Sequence, residues 1–162
     1  MLRVLCLFAV SVVTVACGKE TSFVAKDFPC LVDLPGWNQD LMNMHKQLYL
    51  GYVNSANELT KKLQQIVQEG KEKSLEFGAL KRRLAWEMDG MRLHELYFEN
   101  LGRKGNPSSL FIEKVSKDFG SFDAWKQDFI ATGLMRGIGW VVLYRDHATG
   151  KLENLWVNEH YT

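Results

Sequence analysis

Two long runs of apolar side chains at three- and four-residue spacing, joined by a short polar link, constrain this chain more than any other feature. Leu41, Met44, His45, Leu48, Tyr49, Tyr52, Val53, Ala56, Leu59, Leu63, Ile66 and Val67 mark one face of a helix. Asn38 or Asp40 is placed to cap its start, and Glu69-Gly70 to end it. After the polar link Lys71 to Lys73, a second helix is predicted from about Ser74 to Leu101. Leu80, Leu84, Met88, Met91, His94, Tyr97, Phe98 and Leu101 form its apolar face. So short a link makes the two helices an antiparallel hairpin.

The flanking segments read differently. Ser22 to Gly36 is an arm without periodicity, broken by Pro29 and Pro35-Gly36. Pro107-Ser108-Ser109 opens a short helix toward Phe119, and Ser121 caps another that runs to about Thr132. Trp140 to Tyr144 is β-branched and aromatic, Asp146 to Gly150 reads as a turn, and Leu152 to Val157 alternates. The expected class is therefore α+β, a helical hairpin followed by a partial α/β portion with an incomplete small antiparallel sheet. Two strands are marginal alone, which is itself a hint of incompleteness. The expected organisation is 1–17 leader, 18–40 arm, 41–102 helical hairpin and 103–162 partial α/β domain.

Residues 1–17 form a separate unit. One basic residue, Arg3, precedes the apolar stretch Val4 to Ala16, and Cys17 is followed by polar Gly18-Lys19-Glu20. This is the pattern of a secretory signal peptide and is too short for a membrane span. Thr14-Val15-Ala16-Cys17 is similar to a bacterial lipobox, with Thr14 where Leu is usual. Lipidation at Cys17 and plain export after Ala16 both follow from that reading. The expected location is exported, periplasmic or a membrane-anchored lipoprotein of a bacterium. Cys30 is the one cysteine beyond the leader, so no internal disulfide or C-x-x-C metal spacing is expected. It is read as a buried small hydrophobe.

A formal net charge of +1 over 162 residues offers no basic field, so no nucleic-acid partner is expected. Of the four histidines, His45 and His94 stand on the inner faces of the two hairpin helices. Helical bundles build metal sites by projecting imidazoles inward from facing helices, and imidazole suits iron, manganese and zinc alike. His147 lies in the predicted turn and His160 near Glu159. Glu95 and Glu99 share a helix face that is read as wet. Gly137-Ile138-Gly139 precedes a strand, so it is not a nucleotide fingerprint.

Four local sequences carry a resemblance. His94-Glu95-Leu96-Tyr97-Phe98-Glu99-Asn100-Leu101 resembles the H-x-x-[FY]-[FWY]-x-x-L segment of iron/manganese superoxide dismutases. Lys117 to Phe122 is similar to that family's stretch between two helices, and Gly137 to Leu143 to its G-x-G-W-x-x-L strand entry. His45 with Tyr52-Val53 and Asn57 resembles its first-ligand helix. Together they cover about Leu41 to His160. The resemblance implies His45 and His94 as iron or manganese ligands, Tyr52 or Tyr49 as the tyrosine that gates substrate entry, and Trp140 as an aromatic wall. It implies superoxide as substrate, dismutation to O2 and H2O2, and a homodimer. The family's Gln beside the metal has no counterpart at Gly90, so His160 or Glu159 is the expected replacement, and Arg92, Arg136 and Arg145 are candidates for steering the anion. Family members continue with a D-x-W-E-H-A-like segment that gives an Asp and a third His. This sequence holds none, so it is expected to be truncated, as either a dismutase fragment or a non-catalytic, membrane-tethered remnant.

Overall fold

A computed structural model describes residues 22–102 and 105–162. The leader and Cys17 lie outside the described residues. Four helices and two strands follow in order: α1 Gln39–Gln68, α2 Leu75–Asn100, α3 Ser109–Phe119, α4 Phe122–Gly133, β1 Gly139–Arg145 and β2 Leu152–Asn158. The α+β class is as expected.

Each helix begins at a side chain that accepts from the backbone N–H three residues on. Asn38 accepts from Leu41, Ser74 from Phe77, Ser108 from Phe111 and Ser121 from Ala124, at 3.0–3.2 Å. These bonds satisfy donors that the helix itself leaves unpaired. Gly70 closes α1 at φ 67°, and the Lys71 N–H donates back to the Ile66 carbonyl. That geometry needs a left-handed residue, which glycine supplies without a Cβ clash. The chain then reverses into α2, and α1 and α2 pack along their length.

The buried face of α1 is Met42, Tyr49, Tyr52, Val53, Ala56, Leu63 and Ile66. Leu41, Met44 and Leu48, placed on the inner face by periodicity, are 64%, 67% and 52% exposed, and Val67 is exposed as well. An apolar stripe this wide leaves two rotations open, and the arm selects one. Phe28 and Leu31 of the arm close over Met42, Tyr49 and Phe98, so that flank is the one covered. The arm is held in register by a reciprocal pair: the Phe23 N–H donates to Asn57 Oδ1 (2.7 Å), and Asn57 Nδ2 donates to the Phe23 carbonyl (2.9 Å).

Cys30, expected to be buried, is exposed. It sits in the one-turn 3-10 helix Pro29–Leu31, which directs Leu31 fully inward and leaves its neighbour outside.

β1 and β2 pair antiparallel, Gly139 opposite Asn158 and Arg145 opposite Leu152. Asp146 Oδ1 accepts from the Thr149 N–H and hydroxyl and shapes the turn. The hairpin is fixed to the helices by polar contacts: the Leu152 N–H donates to Asp118 Oδ2 (2.9 Å) and Trp125 Nε1 donates to Asn154 Oδ1 (3.1 Å). Phe111, Phe122, Trp125 and Phe129 form an aromatic row beside them, edge-on around Phe111 and tilted along Phe122, Trp125 and Phe129. Val115 is the one fully buried side chain of α3, and α4 buries none.

The start of β1 leaves no room for a side chain. A Cβ at Gly139 would collide with the Val157 carbonyl oxygen and lie 2.9 Å from Trp156 Cζ2. Gly139→Ala is therefore expected to lower stability by about 1–3 kcal/mol, the usual range for forced overpacking. Urea unfolding with an unchanged slope would measure it, and an unshifted midpoint would contradict the close approach.

Candidate metal centre

His45 and His94 face one another from α1 and α2, with ring centroids 4.9 Å apart and the rings nearly perpendicular. His94 is 1% exposed, and its Nδ1 lies 2.6 Å from the Gly90 carbonyl oxygen one turn earlier. A carbonyl only accepts, so Nδ1 carries the proton and Nε2 keeps its lone pair. Burial lowers the His94 pKa to about 4, with the neighbouring His45 and His160 adding to the shift and the Gly90 carbonyl opposing it. His45 is half-buried, and burial lowers its pKa too. Both imidazoles are thus held neutral, the form that ligates metals.

Tyr52 follows His45 by seven residues, which is close to two helical turns, so both project from one face. Its hydroxyl oxygen lies 2.7 Å from His160 Nε2. The other nitrogen of that ring, Nδ1, is 3.0 Å from Trp140 Nε1. An indole N–H only donates, so His160 Nδ1 must accept and Nε2–H must donate to Tyr52 Oη. The Tyr52 hydroxyl proton is then free to point elsewhere. Burial first, and then Glu87, raises the Tyr52 pKa, which keeps the phenol protonated. His45, Tyr52, His94, Trp140, Glu159 and His160 line one open cavity of about 510 Å³.

His160 arrives there through two devices. Glu159 adopts φ 51°, a left-handed conformation that turns the chain inward after β2. The imidazole then lies over Gly90, where a Cβ would meet Tyr52 Cδ1 at 2.8 Å and His160 Cδ2 at 3.1 Å. The bare backbone at position 90 is what admits both rings.

The structure therefore brings together His45, His94, Tyr52, Trp140 and His160. Tyr49 lies elsewhere: its hydroxyl accepts from the Lys26 N–H (2.8 Å) and reaches Glu95 Oε1 (3.2 Å), away from the cavity. Glu95, read as wet, is 3% exposed. Its carboxylate is met by Arg92 at 2.7 Å and Lys26 at 3.2 Å, the latter delivered by the arm. Arg92 is thereby engaged, and Arg145 sits at the far end of the hairpin. Arg136 is exposed two residues from Ile138, which lines the cavity.

Trp86 was not singled out by sequence. Its ring packs edge-on against His160 (4.7 Å) and Tyr52 (5.6 Å), with the Arg83 guanidinium 4.1 Å from its face. The positions 86, 90 and 94 recur at four-residue intervals along one helix face, a signal that could have found it.

The two neutral imidazoles fit a transition metal as nitrogen donors, and His94 is held in the tautomer that leaves Nε2 free to ligate. Among the described residues, no group of three or more His, Cys, Asp or Glu is arranged to hold a metal ion. His160 is close but has both nitrogens engaged in hydrogen bonds.

A sequence profile described as iron/manganese superoxide dismutases, C-terminal domain, matches residues 107–162. The chain is similar to the Superoxide dismutase [Fe] of Saccharolobus solfataricus, 31% identical over 134 residues covering 78% of this chain and 64% of that protein. It is also similar to the Superoxide dismutase [Fe] of Cupriavidus metallidurans, 32% identical over 130 residues, 78% of this chain and 66% of the relative. The Superoxide dismutase [Mn] 1 of Haloferax mediterranei is 33% identical over 112 residues, 68% of this chain and 76% of the relative. The chain belongs to the iron/manganese superoxide dismutase family. The alignment with the Saccharolobus enzyme spans 64% of that relative's length.

The depressed pKa of His94 has a stability consequence. Its folded value, about 4, lies below the ordinary 6.5, so the unfolded chain takes up the proton first. Stability present above pH 6.5 is lost as pH falls toward about 4. The metal-free protein is expected to unfold at progressively lower temperature across that window, with a shallower fall in His94→Gln. Equal acid sensitivity in the two proteins would contradict a buried neutral imidazole.

Proposed function

We propose that this chain provides the catalytic pocket of an iron- or manganese-dependent superoxide dismutase, in which two O2⁻ and two H⁺ become O2 and H2O2. The observation that carries it is the facing pair His45 and His94 over an open cavity bordered by the Trp140–His160–Tyr52 hydrogen-bonded line. His45 and His94 would hold the metal, His94 through Nε2, with further donors coming from outside the described residues. When bound, iron or manganese supplies one-electron redox chemistry between its 3+ and 2+ states. The protein's own groups handle protons and access. His160 Nε2–H fixes Tyr52 Oη, and Tyr52 presents its hydroxyl proton to the cavity as a donor to nascent peroxide. Trp140 walls the pocket and orients His160. In this reading Tyr52 is the gate, and His160 is the group that replaces Gln.

Mn²⁺ titrated into the chain is expected to broaden the imidazole resonances of His45 and His94 first and those of Trp140 and Tyr52 next. His94→Ala should abolish both that pattern and dismutation. Broadening spread over surface carboxylates would sink the proposal. The second reading, a non-catalytic tethered remnant, is favoured by the lack of a third donor group among the described residues. It predicts purified protein with no dismutation and less than about a tenth of an ion per chain, since closed metal sites need about four ligands.

We also infer export with a lipid tether at Cys17, from the apolar stretch Val4 to Ala16 that precedes it. No helix of the described residues is long and apolar enough to cross a membrane. Radiolabelled palmitate should enter the protein and be lost in Cys17→Ser, and an unlabelled, freely soluble wild type would refute the tether. A homodimer is the proposed assembly, supported by the exposed row Trp37, Leu41, Met44 and Leu48 along one side of α1 and its approach.

A further inference from the structure

The formal charge of this chain is nearly balanced, 20 basic against 19 acidic side chains, yet its cations are not evenly spread. At the turn end of the hairpin, a cleft of about 260 Å³ is lined by Lys114 and Lys117 of α3, Arg145 of β1, and Thr149 and Lys151 of the turn, with Asp118 the one carboxylate among them. Asp118 is committed: its Oδ2 accepts from the Leu152 N–H. Lys151 leans away to Glu153 at 2.6 Å. Among the described residues, Lys114, Lys117 and Arg145 make no ion pair with any carboxylate. The helix macrodipole accounts for Lys117 in the last turn of α3, but not for Lys114 or Arg145.

Three exposed cations outnumber the single Asp118 carboxylate in the cleft, and an anion held between them relieves the repulsion that solvent leaves unscreened. The cleft is larger than a monatomic ion needs. Arg145 adds a planar fork suited to two oxygens of a tetrahedral anion, and the lysines add mobile point charges. Seven-residue strands separate this end from Gly139 and His160, about 20 Å away at some 3.4 Å per residue, so the cleft is remote from the metal cavity.

We propose that this cleft binds a phosphate monoester-type dianion through Lys114, Lys117 and Arg145. The anion is either a free phosphate or the exposed headgroup of a lipid.

The test is an amide-shift titration of the full chain with inorganic phosphate, matched against sodium chloride at equal ionic strength. Saturable shifts confined to residues 114–118 and 145–152, seen with phosphate and not with chloride, are expected. The doubly substituted Lys117→Gln/Arg145→Gln should bind about tenfold more weakly or worse, as loss of charge-assisted hydrogen bonds implies. Both side chains are exposed, so an unchanged thermal midpoint will show that the variant is folded. Lys61→Gln, an exposed cation on α1, should leave binding intact. Phosphatidylcholine vesicles with and without phosphatidic acid separate the sources. Phosphatidate-dependent retention that the double variant loses identifies a headgroup, and phosphate binding without it identifies a free ester. Identical shifts with chloride, or phosphate shifts untouched by the double variant, would overturn the site.

Discussion

The hydrogen-bonded line from Trp140 through His160 to Tyr52 ties the strand hairpin to the first helix through polar atoms. Trp140 belongs to the first strand, His160 follows the second, and Tyr52 lies on the first helix, 108 residues away from His160. Because an indole only donates, the first link dictates the tautomer of the imidazole, and the imidazole dictates which way the phenol faces. One fixed donor thus propagates polarity across three side chains. The same line docks the strand hairpin onto the helical hairpin, so the packing of the fold and the chemistry of the pocket rest on the same atoms.

A second constraint anchors the other side of the helices. Glu95 is buried beside His94, and an unpaired carboxylate there would cost several kcal/mol. Arg92 from the same helix and Lys26 from the arm meet it, and Tyr49 shares the charge. Both cations are about half exposed, so solvent weakens each pair individually. Their value lies in placement: the arm is drawn across α1 and α2, and Phe28 and Leu31 are delivered to the core behind the facing histidines.

The helices, their caps and the strand hairpin were legible because they depend on local signals: Asn38, Ser74, Ser108 and Ser121 before periodic runs, Gly70 after one, and alternation in Leu152 to Val157. His45 and His94 were legible because both sit within apolar stripes. What could not be read was which flank of a wide stripe the arm would cover. That choice exposed Leu41, Met44 and Leu48, turned Cys30 outward and buried Glu95. Tyr49 and Tyr52 both lie on the buried face of α1, and contacts with distant residues tell them apart. The four-residue spacing of Trp86, Gly90 and His94 put Trp86 on the pocket face, but its contact with His160 is long-range and has no local signal.

Gly90 and His160 form a complementary pair. One contributes nothing but backbone, and the other fills the space so created from seventy residues downstream. The two positions are therefore sterically coupled. A side chain gained at 90 would displace the imidazole and free Tyr52 and Trp140 of their shared partner, while a smaller residue at 160 would leave a hole that only a larger neighbour on the helix could fill. The space over position 90 can be filled from the helix or from the hairpin, and exchanging one for the other takes a pair of substitutions rather than one.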